Sequence, residues 1–246
     1  MRLLVASKEE REFEIMSYSL LKQYFDTNEF IIIPRGCFHN LNQLPKGIFP
    51  HFFVNLNDTI ISYMQQRKGW YSEPDYVIIK RDSIDKWMII KTIRNQEPSK
   101  TCINNPNDFQ PICDEIVERR RMNQKGNRTI YLSSLENKEK FENKLRIIGN
   151  GHLLFIKENG INAVIDAKLY SNRIDSRSIK KLNYDGAMLN SKSAYIITNR
   201  PENLTVENFA DIRQIDSAWI GRYKNYERPG EISPQEFELY IPEINR

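Results

Sequence analysis

The sequence predicts an α/β protein, a mixed β-sheet flanked by helices. Three observations carry that prediction. Two strand–turn–strand segments, over 76–93 and 152–170, are rich in β-branched residues. Apolar residues at helical spacing recur before, between and after them. An apolar content of 40%, with 28% charged, is that of a chain able to bury a sizeable core.

The elements follow in order. Ser7 to Phe25 reads as the first helix: Ser7 can cap it, Glu10 stands at the capping-box spacing, and Phe13, Met16, Leu20, Leu21 and Tyr24 recur at helical intervals. Phe30 to Pro34 is a short apolar strand ended by proline. Residues 35–60 are rich in Pro, Gly and Asn and predict mostly irregular chain, with a helix over 58–67. Tyr76–Ile79 and Trp87–Ile93 are strands around a polar turn at 80–86. A helix near Cys113–Met122, a strand over Thr129–Ser133 and a helix over Glu136–Leu145 come next. Residues 152–170 read as a hairpin turning at Glu158-Asn159-Gly160. Ile174–Leu189 predicts a helix, Ala194–Thr198 a strand, Val206–Ile212 a further helix and Phe237–Ile241 an edge strand.

Bulk properties narrow the function classes. A length of 246 residues suits one large domain or two small ones. No run of 18 apolar residues exists, which excludes a transmembrane helix, and the apolar stretch in MRLLVASKEEREFE is too short for a signal peptide. Cys37, Cys102 and Cys113 form no CxxC pair, so the expectation is a reducing cytoplasm with neither a disulfide frame nor a zinc site. A net charge of +4 permits a polyanionic partner. Phosphate-loop, dinucleotide, nucleophile-elbow and HExxH motifs are absent from the sequence.

The two strand pairs suggest a repeat. Lys91 follows Asp75 by the same interval that separates Lys168 from His152 (91 − 75 and 168 − 152, 16 in each case). Two tandem αβ units, 1–134 and 135–246, are therefore expected. The second carries the more unusual feature. The apolar run Ala163-Val164-Ile165 ends in Asp166-Ala167-Lys168, and residues two apart on a strand share a face. Charge at the end of a buried strand calls for compensation. An ion pair that only stabilises the strand end and a chemical site are both open readings.

Strand–turn–strand with a carboxylate opening the first strand and (Asp/Glu)-x-Lys in the second resembles the PD-(D/E)xK, or restriction-endonuclease-like, nuclease superfamily; the first pair offers Pro74-Asp75 with Lys91, and the second His152 with Asp166-Ala167-Lys168. The helix and strand that follow, 174–189 and 194–198, resemble the family's continuation. The resemblance implies Mg²⁺- or Mn²⁺-dependent hydrolysis of a DNA phosphodiester. It makes Asp166 and Asp75 metal ligands, Lys168 and Lys91 the matching lysines that orient water, and His152 a ligand where the family has an acid. Imidazole suits Mn²⁺ better than Mg²⁺. The first unit has Ile89 in place of the second acid. Glu73, Glu115, Glu118, Glu139 and Glu142 are candidates to supply a missing carboxylate.

Cations follow each motif lysine. Arg119, Arg120 and Arg121 lie after the first, and Arg173, Arg177, Lys180 and Lys181 after the second. On helices they can meet a phosphate backbone, or form a solvated face. DNA is the implied partner, with RNA open, no membrane involved, and a homodimer allowed. Two other arrangements stand beside this one: a nuclease fold without a metal site that binds DNA or protein, and a single site shared between the units, with Asp75 and Asp166 close in space.

Overall fold

The computed structural model describes residues 8–34, 53–54, 74–91, 99–122, 128–132, 151–157, 159–169, 176–205 and 207–226. Along the chain run α1 (Lys8–Tyr24), β1 (Phe30–Pro34), β2 (Phe53–Val54), β3 (Tyr76–Lys80), β4 (Ile84–Lys91), β5 (Ser99–Ile103), α2 (Phe109–Arg121) and β6 (Arg128–Leu132). They continue with β7 (Gly151–Ile156), β8 (Ile161–Lys168), α3 (Ser176–Met188), β9 (Ser193–Thr198), β10 (Phe209–Ile215) and β11 (Ala218–Tyr223). The α/β class expected from the sequence is what the chain adopts. Among the described residues no helix is long and apolar enough to cross a membrane.

The strands form two sheets, ordered β1-β3-β8-β9-β11-β10 and β2-β6-β7-β4-β5. In the first, β3 runs antiparallel to both its neighbours, β1 and β8, and β9 is parallel to β8. Ile31–Ile33, Tyr76–Ile79 and Ala163–Ile165 are buried at every position. A continuous apolar run of this kind marks a strand covered on both faces. One face meets α1, where the Tyr76 hydroxyl donates to the Glu14 carbonyl and the rings of Tyr24 and Phe25 meet Tyr195 edge to face. The other face meets α3, which packs on β8 and β9. Helix α2 packs against β1 and α1, where Asp114 accepts from Tyr18 and Lys22.

The two strand pairs lie where the sequence puts them, but they are not hairpins. β3 pairs with β8 and β4 with β7, so the segments run antiparallel to each other as one long ribbon. Each changes sheet at its turn: a 3-10 turn at Arg81–Ser83 and the tight turn before Ile161. The crossing is sealed by Lys157 N–H to the Ser83 carbonyl (2.8 Å) and Lys80 N–H to the Gly160 carbonyl (3.2 Å). Gly160 has no side chain for lack of room, since a Cβ there would stand 2.6 Å from Ser83 Cβ and 2.7 Å from Ile156 Cγ2. Asn159, at φ 57°, supplies the left-handed residue of the turn.

This topology corrects the tandem reading. A boundary at 134/135 would cut both sheets, because β3 and β8, and likewise β4 and β7, lie on opposite sides of it. Equal spacing in the sequence reflects two strands of similar length crossing together, not two units standing side by side. Two further expectations change. The helix over 206–212 is replaced by β10, which starts at Phe209 and pairs with β11 around a turn where Asp216 has φ 50°. Pairing with a neighbour outweighs a short apolar spacing that fits either period. Met16 is exposed, and the inner face of α1 is made by Phe13, Glu14, Ser17, Tyr18 and Leu21. The helices expected over 58–67 and 136–145 and the strand over 237–241 lie outside the described residues.

Candidate active site

Antiparallel register brings the two aspartates together. Tyr76 faces Ile165, so the residue before Tyr76 falls beside Asp166 and Ala167. The Ala167 backbone N–H donates to Asp75 Oδ2 at 2.8 Å, joining positions 92 apart in sequence. Asp75 is buried and Asp166 is 0% exposed. Neither carboxylate has bulk water to offset its charge, so each needs partners within the fold.

Two lysines supply them to Asp166. Lys168, two residues along β8 on the same face, brings Nζ to 3.1 Å from Asp166 Oδ2. That approach is an ion contact without the alignment of a hydrogen bond. Lys181 reaches across from α3 and donates to Asp166 Oδ1 at 3.2 Å and to Asp185 Oδ2 at 2.9 Å. Lys181 and Asp185 are four apart, so they share one face of the helix. Asp185 is itself buried at 1% exposure. Burial alone would push the Lys181 ammonium down, but the charges of Asp166, Asp185 and Asp75 outweigh it and hold its pKa above the usual lysine range. Three carboxylates and two ammonium groups thus meet where β3, β8 and α3 converge.

The other candidates fall elsewhere. His152 lies in the five-stranded sheet opposite Ile89, buried, with Nδ1 accepting from Trp87 Nε1 at 3.0 Å. The structure does not bring it to Asp166. Lys91 closes β4 in the same sheet, next to β5. Glu115 and Glu118 are ion-paired on α2 to Arg119 and Arg121, with Arg120 between them. Helix α2 packs with α1 and β1, so Glu115, Glu118, Arg119 and Arg121 do not join the cluster. Glu73, Glu139, Glu142 and Arg173 lie outside the described residues. Arg177 is in the first turn of α3, and Lys180 is exposed on it. Lys181, read from the sequence as a backbone-contacting cation, belongs instead to the acidic cluster.

Two buried acids escaped the sequence reading. Asp185 had a legible signal, its i,i+4 spacing to Lys181 beside the apolar Leu182 and Leu189. Glu14 had one too, sitting among Phe13, Ser17, Tyr18 and Leu21 on the inner face of α1. Among the described residues no group of three or more His, Cys, Asp or Glu side chains is arranged to hold a metal ion. A donor set of two carboxylates, Asp75 and Asp166, is nevertheless the kind that suits Mg²⁺, which takes oxygen ligands and commonly completes its shell with water and phosphate. The chain matches no family model, no curated protein and no solved structure.

Proposed function

We propose that the protein is a metal-dependent nuclease of the PD-(D/E)xK, restriction-endonuclease-like class that hydrolyses DNA phosphodiester bonds. The observation that carries the reading is Asp75 beside Asp166 and Lys168. Pro74-Asp75 at the head of β3 and Asp166-Ala167-Lys168 at the end of β8 act as one motif split between adjacent strands. Helix α3 and the parallel strand β9 follow, in the order the resemblance expects.

Asp75 and Asp166 are the residues that would hold Mg²⁺ or Mn²⁺, and a bound divalent ion supplies charge neutralisation at the phosphate and a more acidic water. The chain's own residues do the rest. The Ala167 N–H fixes the Asp75 carboxylate against β8. Lys168, partly exposed and beside Asp166, is suited to orient the attacking water and to contact the scissile phosphate. Burial of the acids on rigid strands preorganises the charge at which the phosphate reacts.

Plasmid DNA incubated with purified protein and Mn²⁺ or Mg²⁺ is expected to be nicked or degraded. Asp75→Ala, Asp166→Ala and Lys168→Ala are each expected to abolish this, and an RNA substrate run alongside decides the nucleic acid. Cleavage surviving all three changes would sink the assignment. One observation favours a second reading: both Asp166 oxygens already face ammonium groups. A nuclease fold that binds DNA or protein without catalysis would show no Mn²⁺ uptake by calorimetry together with salt-sensitive DNA binding.

A further inference from the structure

We propose that Trp219 is a base-stacking platform beside the acidic site, and that the DNA taken there has an unpaired strand next to the scissile phosphate. The proposal rests on the nuclease reading above and names the form of DNA that the site accepts.

Register across the first sheet carries the argument. Lys168 stands opposite Thr198 on β9, Thr198 opposite Trp219 on β11, and Trp219 opposite Gln214 on β10. Residues directly opposite one another share a face of the sheet. Tyr195, three positions before Thr198, meets Tyr24 and Phe25 of α1. Thr198 and the row through it therefore lie on the other face, where Lys181 of α3 meets Asp166. Neighbouring strands are about 4.7–4.9 Å apart, so Trp219, two strands from Lys168, stands roughly 10 Å along the row. The parallel strands β8 and β9 both end in this row. It thus lies at their carboxyl ends, where open α/β sheets take up ligands.

Trp219 has polar neighbours on both sides in the row, and Gln214 is exposed. Helix α3 packs on β8 and β9, leaving the β11 end of the row to other cover. The indole packs on the core by part of its surface and is half-buried. Its N–H makes no hydrogen bond among the described residues and is not sealed from solvent, whereas the Trp87 N–H is bonded to His152. A half-open indole in line with a lysine offers the two contacts a single strand takes: a cation for phosphate and a ring on which a base stacks. Bases within a duplex are already stacked on one another and present no free face to this ring. The row therefore selects a strand that is unpaired beside the reacting phosphate.

The test is fluorescence anisotropy of a labelled oligothymidylate, alone and as a blunt duplex, titrated with the full chain in EDTA so that binding is read without cleavage. The parent is expected to bind the single strand more tightly than the duplex. Trp219→Ala is expected to weaken single-strand binding on the order of tenfold, leave duplex binding unchanged, and keep the parent's salt dependence, since no phosphate contact is lost. Trp219→Phe, which restores a ring, is expected to recover most of the loss. A merely structural tryptophan would weaken both DNAs alike, and that result, or unchanged single-strand binding by Trp219→Ala, would overturn the proposal. Should Trp219→Ala fail to fold, Gln214→Glu decides: its negative charge beside the ring is expected to weaken single-strand binding several-fold, and unchanged binding is the contrary result. Trp219-dependent binding of single strands without cleavage in Mn²⁺ would remove the nuclease reading and leave the platform. Single strands cut by Trp219→Ala at the parent rate would remove the platform and leave the nuclease.

Discussion

Asp75 has two parts, which one pair of substitutions separates. Its Oδ2 accepts the Ala167 N–H at 2.8 Å, and its charge forms half of the proposed ligand pair. Asp75→Ala leaves that N–H facing a cavity in a buried setting, which costs about 1–3 kcal/mol. For a chain of this length each kcal/mol corresponds to roughly 2–4 °C in Tm. Asp75→Asn keeps a carbonyl oxygen for the same bond, so its loss is about 1 kcal/mol or less. It removes the charge as completely as alanine does. The expected pattern is a stable, inactive asparagine variant beside a destabilised, inactive alanine one. Urea unfolding followed by circular dichroism reads the stability, and Mn²⁺-dependent nicking of supercoiled plasmid reads the chemistry. An alanine variant within about 0.5 kcal/mol of the parent would show that the bond does not hold the strand ends together. An asparagine variant cleaving at the parent rate would show that the charge has no catalytic part.

Other outcomes follow from the same structure. Gly160→Ala crowds Ser83 and Ile156 where the ribbon changes sheet and is expected to cost about 1–3 kcal/mol in chemical unfolding; a Ser83→Gly background should recover part of it. His152→Leu strips the Trp87 indole of its acceptor and should cost about 1–3 kcal/mol, while calorimetry finds Mn²⁺ affinity unchanged. Burial, reinforced by the Asp114 charge, holds the Cys113 thiol well above its ordinary range, and burial with the nearby Cys113 and Asp114 does the same to the Tyr18 hydroxyl. Both groups stay protonated in the fold after the unfolded chain has begun to release its protons. Their stabilisation is complete below the unfolded values, about 8.5 and 10, and falls as pH rises beyond them by up to about 1.4 kcal/mol per unit for each group. Urea midpoints across pH 7–11 measure this, and Cys113→Ala should flatten the first part of the decline.

The elements of this fold were legible because their causes are local. Apolar residues every third or fourth position along 13–21 make a helix with one inner face, and unbroken runs such as Tyr76–Ile79 make strands covered on both sides. The Asp166-Ala167-Lys168 pair was legible too, since period two alone sets both side chains on one face of β8. Where a short run fitted both periods, as over 206–212, local spacing pointed to a helix and the partner strand β11 made it a strand.

Which strands would meet was not written in any local pattern. Hairpins at 76–93 and 152–170 and a ribbon of β3-β4 against β7-β8 use the same residues with the same alternation; they differ only in the partner chosen. That choice depends on burying both faces of β3 and β8 between α1 and α3, a sum over contacts distant in sequence. It alone carried Asp75 to Asp166, sent His152 and Lys91 to the other sheet, and turned Lys181 and Asp185 inward as a pair. The sequence by itself determined the kinds of side chain available for chemistry. Tertiary pairing decided which of them share a site, because register between strands far apart in the chain is set by the core they bury together.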